Sequence, residues 1–207
     1  KSVTISKDKV GDYQASILTE VDVIIKENKG YSVGIDVGLK EFITTSDAVI
    51  YSGLKETIAH YEKLITYFQR KHSKKQKGSS RREKLRVKIA RLHRKLVRIK
   101  NHYFYSIANE LCSENQTISL ESLHIKGMIK NRKLSKAISN ASWRTFITIL
   151  EKKAIEYGTK LLYIDRWFAS TKTCSVCGTK HPVVLGEDFW TCLCCETTHD
   201  RDVNAAI

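Results

Sequence analysis

The chain contains one proline, Pro182, and one methionine, Met128. It has no internal repeat, which excludes a repeat array, and no low-complexity linker apart from a polar loop near residues 71 to 82. No apolar run approaches the roughly 20 residues that a membrane-spanning helix needs, and the N-terminus has no secretion signal. Cysteine is nearly missing before residue 174. Cys112 stands alone, and the other five fall between Cys174 and Cys195. That distribution excludes a disulfide framework and points to metal binding in a reducing, cytoplasmic compartment. Acidic residues are nearly missing from residues 70 to 100, where Glu83 alone faces 15 Lys or Arg, and this segment holds the whole net charge of +14. Such a density repels itself unless a polyanion neutralises it, and nucleic acid is the expected partner. A solvated basic helix is the plain alternative.

What is present is enough chain for one sizeable domain and a small one, at 207 residues. The sequence starts at Lys1 and stops at Ile207, early in a predicted helix, as a piece of a longer protein would. Residues 2–6 and 13–25 read as strands around a Gly11-Asp12 turn. YSVGIDVGL (31–39) reads as a buried strand with one carboxylate, Asp36, in its middle. Residues 41–45 and 48–51 are two more strands whose short turns make the three antiparallel neighbours.

The period then changes. Leu54, Ile58, Tyr61, Ile65 and Phe68, and then Leu85, Ile89, Leu92, Leu96, Ile99 and Tyr103, recur at spacings of three and four. These are the seams of two long helices, reversed at Gly78-Ser79-Ser80, that form a hairpin over about 54–112. The cations at its other positions turn outward and are candidates for phosphate contact: Arg70, Lys74, Lys75, Arg81, Arg82, Arg86, Arg91, Arg94 and Arg98. A strand at 117–123 carries Glu121. A helix at 143–157 stops at Gly158, a strand follows at 160–164, and a final helix opens near Asp202. This α/β order is that of a ribonuclease H-like fold with the hairpin replacing or extending one helix.

Cys174-x-x-Cys177 and Cys192-x-x-Cys195, separated by fourteen residues, form a strong zinc signature, since Zn²⁺ takes four soft ligands in a tetrahedron. Cys194 competes with Cys195, but the two-residue spacing favours Cys195. The run HDRDVNAA follows closely, and its carboxylates suit a harder cation, Mg²⁺ or Mn²⁺.

Asp36 and Glu121 sit among apolar strand neighbours, where an ionised carboxylate is costly unless paired or metal-bound. If their strands are adjacent the two acids converge on one edge, and Asp202 would complete a cluster that two divalent cations could relieve and use to activate water against a phosphodiester. Each acid has a plainer reading: Asp36 as a turn-proximal exposed acid, Glu121 as a strand end facing solvent, and Asp202 as a helix N-cap that exchanges roles with Asp200.

The segments GIDVGLKEFITTSD, ISLESLHIKGM, DRWFASTKTCSVCG and WTCLCCETTHDRDVNAAI resemble the RuvC nuclease segments of TnpB (OrfB), the insertion-sequence transposase-associated family. They are more distantly similar to compact type V CRISPR effector nucleases. The resemblance implies a RuvC-type, RNA-guided DNA endonuclease carried by a transposable element, with guide RNA and target DNA as partners. It implies catalytic Mg²⁺ or Mn²⁺ on Asp36, Glu121 and Asp202, and structural Zn²⁺ on Cys174, Cys177, Cys192 and Cys195. Arg201 and Asn204 become candidates for touching the scissile phosphate or orienting ligands, and Asp165 is left outside the metal cluster. The implied layout is the tail of an N-terminal barrel at 1–30, the RuvC core at 31–172, the zinc ribbon at 173–198 and the last RuvC motif at 199–207. Leu193 and Glu196 stand where the family's second knuckle has Pro and Gly. Most of the family's N-terminal region has no counterpart in this chain. That gap keeps alive a second reading, a non-cleaving nucleic-acid-binding regulator or subunit of transposition that needs a partner chain. A purely structural zinc protein would leave the acids and the concentrated charge unexplained.

Overall fold

A computed structural model describes residues 2–165, 167–182 and 187–207. It divides into two compact units, residues 1–24 with 54–103, and residues 25–53 with 104–207.

The first unit opens with an antiparallel hairpin of β1 (Ser2–Lys7) and β2 (Tyr13–Leu18), in register from Ser2 opposite Leu18 to Lys7 opposite Tyr13. The strand predicted over 13–25 thus ends at Leu18. Helix α1 (Lys55–Ser73) buries Ile58, Tyr61 and Ile65, as its spacing predicts. Helix α2 (Ser80–Glu114) contributes its first part, to Tyr103, to this unit. Lys88 lies over the ring of Phe68 and Lys95 over that of Tyr61. Seven residues back on α1 match seven forward on α2, so the helices run antiparallel. The turn between them is pinned by Arg82, whose guanidinium donates to the carbonyls of His72 and Lys75.

The second unit is built on a five-stranded sheet in the order β5-β4-β3-β6-β7. β3 (Tyr31–Asp36), β4 (Ile43–Thr45) and β5 (Ile50–Tyr51) are antiparallel neighbours, while β6 (Asn115–Glu121) runs parallel to β3 and β7 (Lys160–Ile164) runs parallel to β6. The parallel connections need crossovers. The end of α2 supplies part of the first, and α5 (Trp143–Tyr157) part of the second. The core is aromatic at its centre: the Phe42 ring stacks on Phe104 at 5.0 Å and meets Phe146 edge-on at 5.3 Å. Ile43, Ile118, Leu150 and Cys112 are fully buried beside them. α5 stops where predicted, because Gly158 takes φ +62° and its amide closes the last turn.

Two short helices, α3 (Ile125–Met128) and α4 (Ser135–Ala141), lie between β6 and α5. After β7, a 3₁₀ turn at Ser170–Lys172 leads into the cysteine segment, where β8 (Phe189–Thr191) and β9 (Thr198–Asp200) form a small hairpin. β9 runs without a break into α6 (Arg201–Ala206). No described helix is long and apolar enough to cross a membrane.

Candidate metal centres

Asp36 is the last residue of β3 rather than its middle, and Glu121 is the last residue of β6. The parallel register places Ile35 opposite Leu120, so the residues that follow, Asp36 and Glu121, leave adjacent strands at the same level of one sheet edge. Neighbouring strands are about 4.8 Å apart, which brings the two carboxylates together at the carboxyl end of the parallel strands.

Asp202 arrives on α6, and Gly34 allows it. A side-chain carbon at position 34 would sit 1.7 Å from the Ala206 carbonyl oxygen, so only glycine lets the helix lie this close to β3. Asp202 is one helical turn before Ala206, about 6 Å along α6, and Asp36 is two residues, about 6.6 Å, past Gly34 along β3. The cap of α6 falls to Asp200, whose carboxylate accepts from the amides of Asp202 at 2.9 Å and Val203 at 3.0 Å. That settles which aspartate caps the helix and leaves Asp202's carboxylate to other partners. The Nε of Arg201 donates to it at 3.3 Å, while the same guanidinium holds the Glu187 carbonyl.

The charges meet in Asp36. Burial, then the nearby charges of Glu121 and Asp202, push its carboxyl up to about 7, against opposing pulls from the Val37 amide and Arg201. A cation between these groups would remove that repulsion. The donor set, three carboxylates at one edge, suits Mg²⁺ or Mn²⁺.

The four cysteines fit zinc. Their sulfurs lie within 4.8 Å of one another, with Cys174 to Cys195 and Cys177 to Cys192 each at 3.6 Å. A zinc tetrahedron with ~2.3 Å bonds has edges of about 3.8 Å. Cys194 is exposed and outside the set. The two knuckles repeat one turn. Gly178 N–H donates to the Cys174 carbonyl and Glu196 N–H to that of Cys192, both at 2.9 Å. Gly178 has φ +73° and Glu196 φ +58°, so the second knuckle keeps the left-handed turn without the glycine that favours it, at a cost of roughly 1–2 kcal/mol. Hydrogen bonds from Thr179 pull Cys177 down, favouring the thiolate that zinc takes, while burial pushes its neighbour Cys174 up, so the metal-free quartet shares its protons unequally. His199, buried against Trp190, places Nε2 3.1 Å from the Cys174 sulfur. A hydrogen bond there would orient the thiolate.

Asn204 links the two centres. It is 4% exposed, and its amide bonds three backbone groups. Its Oδ1 accepts from Ser175 N–H at 2.9 Å inside the first knuckle, and its Nδ2 donates to the carbonyls of Thr173 at 2.8 Å and Ser170 at 3.3 Å. The Ser170 hydroxyl in turn donates to Glu121. An asparagine in the run HDRDVNAA gives no sequence sign of this, because its partners come from a distant turn.

Of the nine cations named as phosphate contacts, Arg82 locks the helical turn, Arg86 holds Glu83 and the Lys9 carbonyl, and Arg94 pairs with Asp8 and Asp12. These three guanidiniums are engaged with the protein. Arg70, Lys74, Lys75, Arg81, Arg91 and Arg98 are exposed. A second basic stretch was hidden in the sequence by averaging: residues 122–150 contain Lys126, Lys130, Arg132, Lys133, Lys136 and Arg144, all exposed, and no acid.

Comparison with known proteins places the chain. The probable transposase family of IS605 OrfB matches residues 16–132, and a Cas12f1-like TNB domain matches residues 143–207. A Streptomyces pristinaespiralis protein described as a "Putative RNA-guided DNA endonuclease" is 38% identical over 99% of this chain and 51% of its own length. An Escherichia coli K12 protein, "Putative RNA-guided DNA endonuclease InsQ", is 26% identical over 100% and 55%. A solved Cas12f1–sgRNA–target DNA complex shares the fold, with a TM-score of 0.58 and 19% identity over 99% of this chain and 54% of that one. The chain belongs to the IS605 OrfB family. It spans about half the length of the curated relatives it matches.

Proposed function

We propose that this chain is the nuclease part of a transposon-borne, RNA-guided DNA endonuclease with a single RuvC-type active site. The sheet order, with three strands antiparallel and two more added in parallel, supports a ribonuclease H-like core over 31–172; residues 1–30 would be the tail of a barrel. The basic hairpin of α1 and α2 is its insertion, residues 173–198 the zinc ribbon and 199–207 the last catalytic segment. The observation that carries the reading is the register that sets Asp36 beside Glu121, joined by the charge of Asp202.

Asp36, Glu121 and Asp202 would hold two Mg²⁺ or Mn²⁺ ions. Bound there, the ions would activate a water and stabilise the leaving oxygen of a phosphodiester. Arg201 restrains Asp202, and Ser170 restrains Glu121. The exposed cations of the hairpin would grip the phosphate backbone of a guide–target duplex without reading bases, and pairing with a guide RNA would supply the sequence.

The expected result is nicking of single-stranded DNA by the zinc-loaded chain in Mn²⁺ or Mg²⁺, and none without them. One observation favours a second reading, a binding subunit that needs a partner: the chain covers only about half of its relatives. Tight DNA binding with no nicking by the well-folded chain, with or without guide RNA, would favour that reading.

The raised Asp36 also sets a pH dependence. Its folded-state value, about 7, lies above its ordinary value of 3.8, so the native state holds the proton more tightly than the unfolded chain does. Stability without divalent cations should therefore fall as pH rises through that window. The gain in melting temperature on adding Mg²⁺ to zinc-loaded protein should be larger near pH 8 than near pH 5. An equal gain at both would remove Asp36 from the cation site.

A further inference from the structure

We infer that Trp167 and the end of β6 form a stacking platform for an unpaired nucleobase of a single nucleic-acid strand. Its use in presenting a strand for cleavage rests on the carboxylate site proposed above, but its binding does not. The cleft is lined by Glu121, Ser122, Leu123, His124, Met128 and Trp167. Trp167 is 80% exposed and Phe168 54% exposed, a large apolar surface to leave in water. The pair is not carried on a loose loop. Trp167 N–H donates to the Asp165 carboxylate at 2.8 Å and Phe168 N–H to the Asp165 carbonyl at 2.9 Å. The strand ends beneath are tied by Ser122 N–H donating to the Ile164 carbonyl at 3.0 Å.

The surroundings select the occupant. The segment that leaves this cleft carries the six exposed cations of residues 122–150 and no acid. A protein partner would be served by the apolar surface alone. A nucleic-acid strand uses both, phosphates on the cations and a base face on the indole, and stacking is indifferent to sequence because every base has a π-face. Duplex DNA hides its base faces, so the occupant is unpaired. One lining residue, Glu121, is also in the carboxylate cluster, so a strand lying along Trp167 passes the candidate metal site.

The other two tryptophans make the test specific. Trp143 and Trp190 are 3% and 5% exposed, so an oligonucleotide that stacks on the surface can quench only Trp167. In metal-free buffer, titration with single-stranded oligothymidylate should quench the emission, while a duplex of equal length should bind the hairpin's cations without quenching. Trp167→Ala should weaken single-strand binding about tenfold by fluorescence anisotropy, and Trp167→Phe should retain most of the affinity. Unchanged zinc content and circular dichroism would show both variants folded. Binding without quenching, or equal affinity in Trp167→Ala, would overturn the platform. The nuclease reading is judged separately: quenching by a chain that never nicks would leave the platform standing, and nicking with an unquenched Trp167 would remove only the platform.

Discussion

Asp36→Asn is expected to abolish divalent-dependent DNA cleavage and, in the same protein, to raise the melting temperature of the cation-free chain at neutral pH. A residue needed only for folding would not do both. Burial and two neighbouring carboxylates oppose the ionised form of Asp36, and the neutral amide has nearly its shape without its charge. Removing the charge relieves the repulsion, which is the trade expected where a site is strained for function. It also removes one side of the cation's cage. A metal ligand worth several kcal/mol of transition-state stabilisation corresponds to a loss of about a thousandfold or more in cleavage. Binding should be untouched, because the exposed cations of residues 70–100 are unchanged. Single-turnover cleavage, filter binding and a thermal melt on one preparation check all three. Retained cleavage in a rigorously purified variant would take Asp36 out of the site.

Removing zinc should have the second large effect, and it should reach the carboxylates. Structural zinc contributes on the order of 10 kcal/mol or more of apparent folding free energy to small cysteine sites. Here Cys192→Ala should release the ion and unfold the β8–β9 hairpin, whose second strand continues directly into α6 and Asp202. The first knuckle is tied to α6 as well, through Ser175 and Asn204. Cleavage should therefore fall to background while the helical signal of α1 and α2 persists. Asn204→Ala separates placement from zinc. Truncation removes one buried and two part-buried hydrogen bonds, and the buried Ser170 carbonyl alone loses a partner at about 1–3 kcal/mol. Zinc should stay bound by absorption or mass, while cleavage falls at least tenfold. If the variant cleaves normally, the ribbon does not position the carboxylates by this route.

Much of this was legible in the sequence, for identifiable reasons. Helix α5 and its stop at Gly158 follow from one periodic stripe and one left-handed residue, both local. The cysteine quartet follows from spacing, and Cys195 rather than Cys194 joins it, as the two-residue spacing predicts. The seam of α1 and α2 follows from their three-and-four repeat. What failed was decided by partners the sequence does not display. Val21, Val23, Ile24 and Ile25 look like a continuation of β2, yet β1 ends its pairing at Leu18 and these side chains lie exposed. Asp36 reads as mid-strand because Val37 and Leu39 extend the apolar run, but the sheet stops pairing at Asp36. Arg86 and Arg94 stand among the candidates for phosphate contact on spacing alone, and nothing local in the sequence shows that Asp8, Asp12 and the Lys9 carbonyl lie beside them. Gly34 gives no local signal either, since its reason is a carbonyl from the far end of the chain.

Anomalous diffraction from a crystal of the zinc-loaded chain soaked in Mn²⁺ tests the central claim most directly. The account predicts manganese peaks in contact with carboxylate oxygens of Asp36, Glu121 and Asp202, and a separate zinc peak among the four cysteine sulfurs. Well-ordered carboxylates with no manganese between them, at a soaking concentration that fills other sites, would contradict it.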